Sequence, residues 1–193
     1  MRAGRELSSV LIIAPQKSGE QIAALLDRME FYPIKILSNA GEARRLLMHD
    51  SFDIVIINAP LCDDEGHELA LDIAESTNSG VMLAVRSEVY DETRYRVDGA
   101  GVFTLSKPLS PAMFRTGLAL VSATRRRMAA LEEENKKLHR KIDELRTIDR
   151  AKWVLVCENK MSEAEAHKYI EKGAMDNRMT RKDFAQSVLD EYD

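Results

Sequence analysis

The residue with the most specific chemistry is Asn135, a lone amide in an apolar series. Met128, Leu131, Asn135, Leu138, Ile142, Leu145 and Asp149 follow one another by alternating steps of three and four, the 3.5-residue period of a coiled coil. Met128, Asn135, Ile142 and Asp149 take one heptad position and the three leucines the other. Two Asn135 amides facing across a dimer axis can hydrogen-bond, whereas an antiparallel or slipped pairing would bury each one unpaired, at ~1–3 kcal/mol. Two parallel strands in a left-handed supercoil are therefore expected, and Asp149 marks where they part, because two buried carboxylates repel. The competing reading is a long helix packed on its own domain.

Other reactive residue types do not assemble. Cys62 and His67 could form half of a metal site, but nothing nearby completes it. Asp63 and Asp64 read as a solvated acidic loop past a strand end. Arg125, Arg126 and Arg127 open the coil as a collar, either a solvated face or a place for phosphates. No nucleophile, base and orienting group converge on a motif, so an enzyme, a metal and a cofactor are not expected.

The elements that must position these groups follow from composition and periodicity. The chain has 193 residues, 45% hydrophobic and 31% charged, with a net charge of −4 and two cysteines. That suits a soluble chain with one sizeable domain and a smaller one, in a reducing, cytoplasmic setting. The longest apolar runs, Val10 to Pro15 and Ile54 to Ile57, are far too short to cross a membrane. With no global positive field, a nucleic-acid role has to be local.

Through the first 117 residues, short apolar runs alternate with helical stripes. Val10–Ala14, Ile34–Leu37, Asp53–Asn58, Val81–Val85 and Val102–Leu105 read as strands. Ile22, Leu25, Leu26 and Met29, then Ala43, Leu46 and Leu47, then Leu69, Ile73 and Ala74 read as helices, with a weaker one over Tyr90–Val97. Five strands alternating with helices predict an α/β domain whose parallel sheet is covered on both faces, with ligands at the strands' carboxyl ends.

With Gly99-Ala100 before the fifth strand and Lys107-Pro108 after it, residues 8 to 117 resemble the flavodoxin-like receiver domains of bacterial response regulators. The resemblance implies a degenerate phosphorylation site. Pro15 and Gln16 stand where an acidic pair would hold Mg²⁺, and Asn58 where the phosphate-accepting aspartate would be. Val85 replaces a Ser or Thr, and Thr104 the switch aromatic. A neutral amide cannot act as the carboxylate nucleophile, and Mg²⁺ lacks hard oxygen ligands. Lys107 is left either to bond Asn58 or strand-end carbonyls, or to meet an anionic ligand. A pseudo-receiver over 1–117 is expected.

Beyond the coil, assigned to 118–149, Ile148, Ala151, Val154 and Leu155 form a stripe turned off the seam. Ser162 and Glu165 form a capping box with Met161 as staple, and Thr180 and Asp183 form a second between Met179 and Phe184. The helices so started carry Ala166, Tyr169, Ile170 and Gly173, then Phe184, Ala185, Val188 and Leu189, toward a core. A small all-α three-helix bundle over 143–193 is predicted, too small to be more than marginally stable alone.

Ile148-Asp149-Arg150-Ala151-Lys152 with Leu155, Ser162-Glu163 with Glu165-Ala166, Ala174-Met175-Asp176-Asn177-Arg178-Met179 and Ala185 resemble the ANTAR domain of transcription antitermination regulators. The order pseudo-receiver, coiled coil, ANTAR is similar to the amidase and ethanolamine-utilisation antiterminators. Trp153 in place of Gly, Glu171 in place of Arg and Arg181 in place of an apolar residue depart from the pattern. The resemblance implies an RNA partner: a homodimer that binds two adjacent hairpin loops of a nascent leader and prevents a terminator from forming. It further implies that Arg150, Lys152, Met175, Arg178 and Lys182 contact RNA and that Ala151 and Ala174 allow close backbone approach. Trp153 either stacks on a base or fills a bundle-core or coil-exit contact. A lost phosphosite points to control by a regulatory protein partner or by dimer assembly. The alternative is a protein-interaction adaptor whose helical tail mainly dimerises.

Overall fold

The computed structural model describes residues 7–192, in two compact units that divide between Ala129 and Ala130. In the first, β1 (Ser8–Ile13), β2 (Phe31–Leu37), β3 (Ile54–Asn58), β4 (Gly80–Arg86) and β5 (Phe103–Lys107) form one sheet in the order β2-β1-β3-β4-β5, parallel throughout. Helices α1 (Gln16–Ala23), α2 (Ala40–Leu47), α3 (His67–Ser76) and α4 (Tyr90–Val97) make the crossovers. Val10 to Ile13 and all of β3 are buried, as expected of central strands covered on both faces.

Side-chain alternation splits the core in two. Leu11, Ile13, Val55, Ile57, Leu83 and Val85 pack under α2 and α3, while Val10, Ile12, Ile54, Ile56 and Met82 pack with Ile22 of α1. The same side receives the start of α5 (Pro111–Glu158), through Phe114, Leu118 and Val121. Leu118 and Val121 thus serve the first core, ahead of the seam that begins at Met128. Helix α5 comes this close because Gly117 has no side chain: a Cβ there would lie 2.4 Å from the Phe103 ring.

Two expectations need correcting here. The first helical stripe ends at Ala23, and Met29 is 83% exposed. The Asp27 carboxylate accepts the Met29 amide at 2.9 Å and its carbonyl accepts Phe31 N, a local turn that competes with helix and feeds β2. Strand β2 begins at Phe31, three residues early, and tolerates Pro33 because it pairs only with β1.

In the second unit the C-terminal part of α5 packs with α6 (Glu163–Asp176) and α7 (Arg181–Asp190). Ile148, Ala151, Leu155, Ala166, Ile170, Ala185, Val188 and Leu189 make the core. Ser162 and Glu165 complete a capping box, and the Thr180 side chain accepts the Asp183 amide. Gly173 admits the Phe184 ring, which a Cβ would meet at 2.0 Å, and that ring lies 5.9 Å from Tyr169. Tyr192 ties the end of α7 to the α5–α6 turn by donating to Asn159 Oδ1 at 2.8 Å.

Candidate nucleic-acid interface and strand-end site

At the carboxyl ends of the strands, β3 delivers Asn58 and β5 delivers Lys107. The Lys107 ammonium donates to the Ala59 carbonyl; burial pushes its pKa down, and the charge of Arg86 adds to that. Asn58 is buried, and its Oδ1 has no hydrogen-bond partner; nor does Thr104 Oγ1. Val85 is packed in the core. Pro15 and Gln16 are exposed, and Gln16 donates to Glu20 at 2.7 Å. Among the described residues no group of three His, Cys, Asp or Glu side chains could hold a metal ion.

The acidic pair after β3 is more than a solvated loop. Asp63 accepts the amides of Ala40 and Gly41 at 2.8 and 3.0 Å, capping α2 beside Asn39, which accepts Glu42 N. These backbone donors hold the Asp63 carboxyl below the usual carboxylate range. Asp64 accepts Gly66 N at 2.6 Å and pairs with Arg44 at 3.1 Å. The contacts of Asp63 with α2 and of Asp64 with Arg44 span 20 to 23 residues, so only the fold could reveal them.

In the second unit, Leu131, Leu138, Ile142 and Leu145 are all 45–60% exposed, with Asn135 exposed among them. This row lies on one side of α5, and no residue described here covers it.

The bundle separates the expected RNA-contacting residues. Ala151 and Ala174 are core residues, fully buried and 3% exposed, and their small size lets the three helices pack. Arg150 is exposed. Lys152 is pinned between Asp149 at 2.7 Å and Glu163 at 3.7 Å; its hydrogen bond with Asp149 raises its pKa, partly opposed by burial. Met175 and Lys182 are exposed, and Arg178 is held in a left-handed turn at φ 54. Lys152 touches Glu163 at the start of α6 and Arg178 follows its end, so the length of that helix, about 20 Å, lies between the two positions. Trp153 is 69% exposed and so fills no core position in its own bundle. Arg150, Trp153 and Cys157 share the face of α5 opposite Ile148, Ala151 and Leu155.

Sequence reasoning missed the pairing of Glu171 with Arg181 at 3.3 Å, joined by His167 at 3.4 Å. The residues are ten apart and on different helices, a separation that carries no periodic signal.

Comparison with known proteins finds likenesses to two kinds of domain. Residues 136–189 match the ANTAR domain. The transcriptional regulatory protein PdtaR of Mycobacterium tuberculosis (strain CDC 1551 / Oshkosh) is 28% identical over 159 residues, covering 81% of this chain and 78% of that protein. The signal receiver domain of an HD domain-containing protein from Pseudomonas fluorescens Pf-5 superposes with a TM-score of 0.57 at 17% identity, over 67% of this chain and 96% of that one. A CheY-like response regulator receiver domain from Methanospirillum hungatei JF-1 gives 0.55 at 19% identity, over 64% and 99%. At such identities these structures show the fold alone: the chain has a receiver-like domain followed by an ANTAR domain.

Proposed function

We propose that this chain, in which an ANTAR domain follows a receiver fold, is a transcription antiterminator that binds RNA as a homodimer and is controlled without phosphorylation of its own receiver. The observation that carries the reading is the ANTAR match at 136–189, which falls on a folded three-helix head borne by a helix with an uncovered apolar seam.

The physics runs from seam to RNA. Pairing of the seam through Leu131, Leu138 and Leu145 around Asn135 sets two heads side by side. Once one head holds a hairpin loop, the second loop of the same leader binds as an intramolecular event, so two weak contacts become one strong one. Each head meets unstacked loop bases and phosphates. Lys152 acts at one end of α6, Met175, Arg178 and Lys182 at the other, and Arg150 acts from the outer face of α5. The ion pairs of Lys152 keep its ammonium aimed and charged. The receiver fold has an amide at the acceptor position and no acidic pair at Pro15 and Gln16, so a protein partner or dimer assembly supplies control.

The test is a gel-shift titration of the full chain with a leader RNA carrying two adjacent hairpins. Binding should saturate at one dimer per leader, weaken steeply with salt, and drop at least tenfold for Arg178→Ala or for a leader with one hairpin deleted. Equal affinity for one-hairpin and unrelated RNA would defeat the reading and favour an adaptor whose tail only dimerises. Incubation with acetyl phosphate should leave the chain unlabelled.

A further inference from the structure

A receiver fold that keeps its lysine but has an amide where a carboxylate would stand has inverted the charge of its strand-end pocket. That pocket, about 340 Å³, is within the range of small-molecule sites. Ile22, Leu25 and Leu109 form its apolar side; Ser18, Gln21, Asn58 and Lys107 form its polar side; no Asp or Glu lines it.

Three features make this a site for an anion. Lys107 gives one of its three donors to the Ala59 carbonyl and is paired with no carboxylate. Asn58 is nine-tenths buried and turns an unpartnered Oδ1 inward, which leaves its Nδ2 facing the pocket. Helix α1 starts beside both: it has no side-chain cap and no acidic residue in its first turn, and Ser18 of that turn lines the pocket. Its positive end is therefore not neutralised. The nitrogen donors are the single cation Lys107 and the neutral amides of Asn58 and Gln21, and the opposite wall is aliphatic, which suits a singly charged, planar group with a hydrocarbon tail better than a dianion that wants several cations.

We propose that this pocket binds, non-covalently, a small carboxylate with a short aliphatic chain, one oxygen on Asn58 Nδ2, the other on Lys107 and the tail against Ile22, Leu25 and Leu109. Occupancy would give the unit a ligand input where a receiver takes a phosphoryl group, and it requires no RNA.

The test is isothermal titration of the full chain with sodium butyrate, against sodium chloride and inorganic phosphate at matched ionic strength. Saturable binding of one butyrate per chain, reduced at least tenfold by Lys107→Met, supports the site. Asn58→Asp, nearly isosteric, should show the same loss by charge repulsion and serves if Lys107→Met does not fold. Absence of saturable butyrate heat up to about 20 mM, where even a millimolar site would fill, overturns the proposal. So does butyrate affinity unchanged in both variants, or tighter binding of phosphate than of butyrate.

Discussion

Glu171 of α6 and Arg181 at the start of α7 meet at 3.3 Å, and they are two of the three positions where this chain departs from the ANTAR pattern. An acid on a helix that commonly carries a base is matched by a base on a helix that commonly starts with an apolar residue. Both side chains are about half exposed, so the pair contributes on the order of 0.2–1 kcal/mol. If the head binds RNA, the same carboxylate also opposes phosphate. Glu171→Gln should therefore lower the melting temperature only slightly while tightening leader RNA binding severalfold and steepening its salt dependence. A variant that binds RNA more weakly, with its fold intact by circular dichroism, would show that Glu171 contacts a base rather than repelling the backbone.

Asn135 is expected to limit the strength of the paired helix in exchange for one register. Asn135→Leu should make association tighter and less specific, with trimers or mixed orientations appearing alongside dimers in sedimentation equilibrium. Leu138→Asp should leave monomers at micromolar concentration, because two carboxylates would face each other in the seam. A wild-type chain that is monomeric across that range would contradict both expectations.

Gly173 tests the head independently of any ligand. A Cβ there would fall 2.0 Å from the Phe184 ring, which must move or the helices must part. Gly173→Ala should cost about 1–3 kcal/mol despite the better helix propensity of alanine. Adding Phe184→Leu should return part of that loss in urea melts monitored through Trp153, whose fluorescence reports only the second unit.

The residues that could be read from sequence are those whose partners lie within a few positions. Alternating apolar runs marked five strands and their helices, and Ser162 with Glu165 marked the start of α6, because capping is a three-residue affair. Asn58 and Lys107 could be placed at the carboxyl ends of their strands for the same reason, each closing its own run. What escaped was decided by distance in the chain or by competition. Met29 fitted the helical period but lost to the Asp27 turn. The burial of Ala151 and Ala174 in the bundle core carries no signal of its own in the motif that contains them. The roles of Asp63 and of Glu171 rest on partners 22 to 23 and ten residues away.

Asp63 makes a pH prediction with a definite sign. Its carboxylate accepts two backbone amides at the start of α2, and those bonds lower its pKa in the folded chain. A depressed carboxyl pKa means that the unfolded chain takes up a proton more readily than the folded one, so the stabilisation is complete above the ordinary aspartate pKa of about 3.9. It then declines as pH falls through that value toward the folded pKa. Asp63→Asn keeps the shape and an acceptor oxygen but removes the charge, and should lower the melting temperature of the first unit at pH 7. The gap between wild type and variant should narrow as pH drops below about 4.5, in parallel thermal melts followed by circular dichroism. A gap that stays constant from pH 7 to 3.5 would mean that the geometry of the cap, and not its ionisation, holds the start of α2.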